Sequence, residues 1–589
     1  MIFRPRATIT AAAVLAVGAL ALTGCTSGGS GSTNGSSSSS SNASYGAAIN
    51  GIVNPSTKKG GTLQLAAASD CDSWDPGRTY YGWCWNMQRT FTRSLVGFSQ
   101  VNGTTPKIVG DLATGLGEHN ADYTKWTYTL RSGLKFSTGK AITPMDVKYG
   151  IERLFAVDVI NGGPAGYFIN SIKHPSDYAG PYKDGDLSTI ETTDNTITFN
   201  LSSSNADFDY LMALPAAAPV PYKTEGGSGY VGANYGKKPV SSGPFVITSY
   251  TQNKSVTFER NKYWSQSTDP FRKPLADGMQ LTINSSPQDI DAKLQSGTYD
   301  AKMDIDVGSN LQTAILQNPK YKANADDAPT PFIRYLTIQQ SVIPNVHCRR
   351  AIQYATNKAA VLQAFGGNLH GTIAGAITPI TIPGHDESLN VYPTGDNNEG
   401  DLTKAKQELQ ACGKPTGFTT KFTYNTPSET GPKVFQAMQT SLARVGINIT
   451  QSTNASSTYY STWLGSPRNV KQQGLGIGVA GWGADFPTGY GFWNNIANGS
   501  AILQTGNSNY PSLNDSTVNK IIDDSRTGKS TDADWTTVNK TVMDTAVYEP
   551  LFYGKTLWYR SPRLTNVTCD NALGFGAYDV VNVGTTDGK

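Results

Sequence analysis

Between Leu475 and Pro487 the chain reads Leu475-Gly476-Ile477-Gly478-Val479-Ala480 and then Gly481-Trp482-Gly483-Ala484-Asp485-Phe486-Pro487. A run this apolar, built from small and branched residues, is expected to be a buried strand, and the residues after it a loop at the strand's end. The loop carries a carboxylate lodged among glycines, an aromatic and a proline. A partly desolvated charge is costly until it is paired and hydrogen-bonded, so Asp485 calls for a cation, either a Lys or Arg of the protein or the ammonium of a ligand. The plainer reading, in which Asp485 only caps a turn before Pro487, stays open at this point.

The two ends of the chain differ in kind. Arg4 and Arg6 precede an apolar run from about Ala7 to Leu22, followed by Leu22-Thr23-Gly24-Cys25. The run is too short for a comfortable membrane span and has the form of an export signal. Its end matches a lipobox, so residues 1–25 are read as a lipoprotein signal peptide. Cys25 becomes the diacylated (palmitate-bearing) N-terminus of the mature chain, anchored on the extracytoplasmic face of the cytoplasmic membrane. Residues 26–57 are read as a Ser/Gly-rich tether, since such a composition buries little apolar surface.

About 565 residues remain after cleavage, enough for several domains. Charged residues make up only 16% and the formal net charge is +3, which leaves no electrostatic footprint for nucleic acid. Outside the cell disulfides are permitted. Cys71 and Cys84 flank one short loop and are paired here. Cys348 shares a helical face with Ala351, Ile352 and Ala355, and Cys412 continues the face of Leu402, Ala405 and Leu409, so both point at a core and could meet. Cys569 is a buried thiol or an alternative partner for one of these.

Along the folded part, Thr62-Leu63-Gln64-Leu65 starts a strand, Asp75-Pro76 turns, and Tyr80-Tyr81-Gly82-Trp83 forms an aromatic loop. Trp126, Tyr128 and Leu130 alternate with polar residues as a half-buried strand does. A helix then begins with Thr143 as N-cap, Pro144 at N1 and Asp146 in the first turn.

The run from Leu130 to Arg153 resembles the signature of the dipeptide/oligopeptide-binding proteins of ABC importers, the extracellular solute-binding protein family 5. The resemblance continues in order through Pro239-Val240-Ser241-Ser242-Gly243-Pro244-Phe245, Phe258-Glu259-Arg260-Asn261-Lys262-Tyr263-Trp264, Val346-His347-Cys348-Arg349-Arg350-Ala351-Ile352, Trp482-Gly483-Ala484-Asp485 and Pro550-Leu551-Phe552-Tyr553. It implies an α/β, periplasmic-binding-protein-like fold of type II, with two hinged lobes and an extra domain. By analogy lobe I comprises 58–95, 240–330 and 554–589, its extra domain 96–239, and lobe II 331–553. The resemblance also implies a non-enzymatic monomer without cofactor or metal, which delivers a captured peptide to an ABC permease and its ATPase. An oligosaccharide or other small solute is the alternative cargo. Peptide main chain would add to strand edges at Tyr80, Tyr81 and Gly82 and at Gly481, Trp482 and Gly483, with Asp485 receiving the α-ammonium. One departure matters: Val479 stands where some oligopeptide binders carry an Arg three residues before the Trp, so a ligand carboxylate has no evident partner there.

Other motifs fail on context. Gly476-Ile477-Gly478-Val479-Ala480-Gly481 fits G-x-G-x-x-G, but no helix can open at Trp482-Pro487. Gly554-Lys555-Thr556 and Gly528-Lys529-Ser530 lack the upstream glycine of a phosphate loop, having Glu549 and Asp523 instead. The five histidines have no zinc spacing, and no G-x-S-x-G is present.

Overall fold

The computed structural model describes residues 46–588 except 100–106, 285, 305, 429, 456–457 and 570–575. The lipobox lies outside the described residues. Residues 26–45 of the expected tether also lie outside the described residues, and from residue 46 onward the structure departs from that expectation. Ala47–Asn50 is a short helix with Ala48 buried; the Ala48 N–H donates to Asp326 Oδ1 at 2.8 Å, and Val53 bridges Val567. Ala47, Ala48, Ile49 and Val53 supply apolar surface that the preceding Ser/Gly run lacks, so this end of the tether packs down.

Two mixed sheets organise the molecule. In the first, Thr62–Ala67 pairs in parallel with Gly278–Ile283 and with Ala301–Lys302, and the Ser255–Arg260 and Phe245–Thr251 hairpin adds to Gly278–Ile283 in antiparallel fashion. The second has six strands in the order Gly371–Ile373, Tyr548–Tyr559, Ala325–Ile338, Leu475–Gly483, Thr419–Thr426, Asn448–Ala455. Its two longest strands, Ala325–Ile338 and Tyr548–Tyr559, pair antiparallel from Ala325↔Tyr559 to Thr337↔Tyr548, with register shifts between Pro329 and Ile333 and between Arg334 and Tyr335. One end of this ribbon, with Ala328 and Trp558, packs into the core of the first sheet. The other, with Tyr335 and Tyr548, packs into the core of the second. The chain therefore crosses between the two cores on a continuous hydrogen-bonded ribbon that is irregular in the middle, as bulged strands are.

Between the first and second strands of the first sheet the chain builds a further four-stranded antiparallel sheet, Glu118–His119, Lys125–Thr129, Thr196–Asn200 and Ile190–Thr192. The helix Pro144–Glu152 packs on it. Its start is as the sequence reading has it: the Asp146 carboxylate accepts from Thr143 N–H at 2.8 Å and from Thr143 Oγ1 at 2.7 Å. Arg153, just past the end of this helix, is fully buried. Its Nη1 and Nη2 donate to the Asp75 carboxylate at 3.2 and 2.7 Å, Nε donates to Tyr182 Oη at 2.9 Å, and Glu225 lies 3.4 Å away. Asp75 is the aspartate of the Asp75-Pro76 turn, so this buried cluster ties the extra sheet to the segment leading into Tyr80.

Among the described residues two disulfides are present, Cys71–Cys84 and Cys348–Cys412; Cys569 belongs to neither and is partly buried. No helix among the described residues is long and apolar enough to cross a membrane.

Candidate functional site

The strand Leu475–Gly483 lies inside the second sheet, which is why it is so apolar. It pairs with Ala325–Ile338 from Ile338↔Ile477 to Phe332↔Gly483. On its other side pairing with Thr419–Thr426 stops at Gly478. From Val479 onward one edge of the strand is therefore free of strand pairing. Side chains from the neighbouring strand lie across this end: a Cβ on Gly481 would stand 2.6 Å from Arg334 Nη1, and one on Gly483 2.6 Å from the Phe332 ring. Glycine at both positions is what lets Arg334 and Phe332 fold flat over the backbone.

Trp482 is half-buried against the second core, and its indole N–H donates to the Phe492 carbonyl at 2.8 Å. Asp485 follows in the loop. Its Oδ2 accepts hydrogen bonds from the Tyr80 hydroxyl, at 2.8 Å, and from the Tyr167 hydroxyl. Neither donor belongs to its own sheet: Tyr80 precedes the helix Gly82–Phe91, and Tyr167 sits on the short helix Ala165–Ser171. Among the described residues Asp485 has no Lys or Arg partner. Burial pushes its carboxyl above the ordinary value of 3.8, and the hydroxyls of Tyr167 and Tyr80 pull it partly back. Burial and the Asp485 charge likewise drive the Tyr80 phenol upward, so it stays a donor. The next residue, Phe486, is buried in the core of the extra sheet, where it stacks on Tyr210 with ring centres 5.9 Å apart and meets Tyr167 edge-on at 5.7 Å.

Tyr80 is held from several directions. Its backbone N–H and the Thr79 hydroxyl donate to the Asp72 carboxylate, each at 2.6 Å, its ring packs on Trp85 at 5.5 Å, and the Cys71–Cys84 disulfide closes the loop around it. The local backbone differs from the expectation of a strand edge at Tyr80, Tyr81 and Gly82. Tyr81 is the N-cap of the helix Gly82–Phe91, and its own side chain is 52% exposed. Every residue of that helix from Cys84 to Phe91 is buried, so packing against the core holds this segment as a helix and its cap where the resemblance implied a strand edge.

These groups line a cavity of about 640 Å³. Tyr80, Gly82, Gly481, Trp482, Gly483 and Asp485 all border it, and so do Trp83, Trp85 and Trp558. Tyr81 is not among the lining residues. The sequence reading missed Tyr167 and Arg334. Tyr167 lies on a seven-residue helix with no periodic pattern to mark it. Arg334 does leave a signal, a lone charge in the otherwise apolar run Phe332-Ile333-Arg334-Tyr335-Leu336.

A cavity bordered by strands of the second sheet, by the crossing ribbon, by the segment that follows Ala301–Lys302 of the first sheet and by the start of the Gly82–Phe91 helix is the arrangement of a hinged binding protein. Residues 107–503 match the family model of bacterial extracellular solute-binding proteins, family 5 (middle region). The chain belongs to this family. Its members bind solutes outside the cytoplasm and are not enzymes. The chain is 25% identical over 511 residues, 83% of its length and 88% of the relative's, to the probable D,D-dipeptide-binding periplasmic protein DdpA of Escherichia coli K12. It is 27% identical to heme-binding protein A of Haemophilus influenzae, covering 69% of this chain and 71% of that one. Among solved structures, a clavulanic acid biosynthesis oligopeptide binding protein 2 superimposes with a TM-score of 0.86 at 38% identity, covering 92% of this chain and 99% of the other. The α/β two-lobed type II fold is shared with these neighbours.

Proposed function

We propose that this solute-binding protein captures short peptides in the cavity around Asp485 and passes them to an ABC permease. The observation that carries the reading is the state of Asp485: a partly buried carboxylate, supplied with two neutral hydroxyl donors and, among the described residues, no cation, facing a cavity of peptide size. An α-ammonium is the group that completes it. Beyond Val479, whose carbonyl accepts from Tyr459 Oη at 3.0 Å, the edge from Ala480 to Gly483 has no strand partner and supplies main-chain groups to which an extended peptide adds without regard to its side chains. In this reading the segments 58–95, 240–330 and 554–589 form one lobe, 96–239 its extra domain and 331–553 the other, and the protein works as a monomer. Peptide-binding relatives support the cargo class, and the heme-binding one marks how far cargo varies on this scaffold.

A second reading, an oligosaccharide, rests on the tryptophans that border the cavity, because sugar rings stack on indole faces. Mass spectrometry of whatever co-purifies with the untagged mature protein separates the two. Peptides are the expected finding, and a neutral saccharide would replace this reading with the second.

The titration of Asp485 gives a further test. An ammonium against the carboxylate lowers the pKa that burial has raised. The empty protein therefore holds a proton on Asp485 at pH values where the liganded protein does not. Binding expels that proton, so affinity rises with pH through the raised pKa of the empty site and levels off once that site is ionised. Calorimetry in buffers of different ionisation enthalpy is expected to record proton release in this range. Proton uptake, or an affinity that falls as pH rises, contradicts an ammonium contact at Asp485.

The N-terminal sequence supports anchoring through a diacylated Cys25 by a flexible tether, which keeps the protein near its permease. Cys25→Ser is expected to abolish globomycin-sensitive processing and to move the protein out of the detergent phase on Triton partitioning. Unchanged processing and partitioning would refute the anchor.

A further inference from the structure

We infer that Arg334 is the receptor for the ligand's carboxylate, and hence that the cargo is a short zwitterion with a free C-terminus, of no more than about four residues; the inference rests on the peptide reading above. Three basic side chains border the cavity. Two are already paired, Lys555 with Asp327 at 2.9 Å and His370 with Asp306 at 3.2 Å. Arg334 has no hydrogen bond or ion pair among the described residues, although it is laid over the floor of the cavity with its guanidinium close against Gly481. Its strand register places it directly opposite Gly481, whose lack of a side chain leaves the guanidinium room to lie there. A guanidinium offers parallel N–H donors in the geometry that a carboxylate accepts.

The position also compensates for the departure noted in the sequence. The motif strand itself carries Val479, and the cation comes instead from the adjacent strand, reaching across a glycine that only a residue without a side chain could supply. Charge is thereby distributed along the cavity, negative at Asp485 and positive at Arg334, which matches the two ends of a zwitterion laid along the free edge of the Leu475–Gly483 strand. The two charges set the length. Arg334 sits at Gly481, and the four residues from there to Asp485 span at most roughly 14 Å when extended, the reach of about four residues of an extended peptide. A longer peptide with Asp485 on its ammonium carries its carboxylate past Arg334.

Binding of pooled random tripeptides, with free C-termini or as C-terminal amides, tests the assignment by native mass spectrometry and calorimetry. Wild type is expected to bind the free acids roughly ten- to a hundred-fold more tightly than the amides. Arg334→Gln is expected to lose that preference while keeping its melting temperature, since the side chain is exposed, and Arg334→Lys to retain part of it. Extending the free acids to octapeptides is expected to erase the preference in wild type. Equal binding of acids and amides by wild type, or a preference that survives in Arg334→Gln, overturns the assignment. If amidation has no effect while N-acetylation still abolishes binding, the peptide reading stands and only the role of Arg334 falls. If neither pool binds, both fall together.

Discussion

Asp485→Asn is expected to weaken binding of a peptide with a free N-terminus by roughly 30- to 1000-fold, a loss of about 2 to 4 kcal/mol. The substitution keeps the shape of the side chain and an oxygen for the Tyr80 and Tyr167 hydroxyls, and removes only the charge. A charge-assisted bond in a site screened from water is stronger than a neutral one, so the effect falls on the ligand's ammonium more than on the protein's own hydroxyls. The control is chemical. An N-acetylated peptide has no ammonium, so it is expected to bind wild type poorly and to lose little more in the variant, and the cycle isolates the pairwise term. If acetylated and free peptides bind wild type alike, or if a neutral saccharide binds tightly and the variant leaves it untouched, the peptide reading is wrong.

Arg153→Ala is expected to cost about 3 to 5 kcal/mol of stability, measured by urea unfolding, because it strands the buried carboxylates of Asp75 and Glu225 with no cation. Both lie within bonding distance of the guanidinium, and all three residues are buried. The cost comes from the unpaired charges more than from the lost bonds. A triple variant, Arg153→Met with Asp75→Asn and Glu225→Gln, is therefore expected to recover a large part of it. A loss below about 1 kcal/mol for Arg153→Ala would place the pair in the weak class of solvated surface bridges and contradict its burial. Asp75 also anchors the turn that leads to Tyr80, so the single variant is expected to weaken ligand binding as well.

What could be read from residues alone divides along physical lines. The start of the helix at Thr143-Pro144 was legible because capping is local chemistry: a hydroxyl, a fixed φ and a carboxylate three residues on. The strand into Trp482 and the loop at Asp485 were legible because burial demands an uninterrupted apolar run and because a carboxylate is conspicuous within it. The backbone at Tyr80 to Gly82 was not. The residues themselves read only as an aromatic loop and the resemblance placed a strand edge there, whereas what made this segment a helix cap was a core supplied by Trp74, Phe91 and the first sheet. The apolar residues at the end of the tether were hidden in the same way, their burial depending on strands nearly three hundred and more than five hundred residues away. Arg334 reaches the cavity, and Tyr167 reaches Asp485, only through tertiary contacts, which no short pattern encodes.

Asp485 and Phe486 are neighbours with opposite preferences. With the lobes divided as proposed above, opening would withdraw Phe486 from between Tyr167 and Tyr210 and expose an aromatic ring, at a cost of about 1.5 to 3 kcal/mol, so this residue would favour the closed site whether or not anything is inside. Closing at the same time strips water from the Asp485 carboxylate, which pushes the site open until a cation arrives. One peptide bond thus joins a constant attraction to a conditional repulsion. A ligand bearing an ammonium removes the repulsion and leaves the attraction in place, so the free energy it must add to hold the protein closed is smaller than the closure itself requires. A solute of the same size without that charge leaves the opposition intact, and discrimination is then exercised by the motion as well as by the contact.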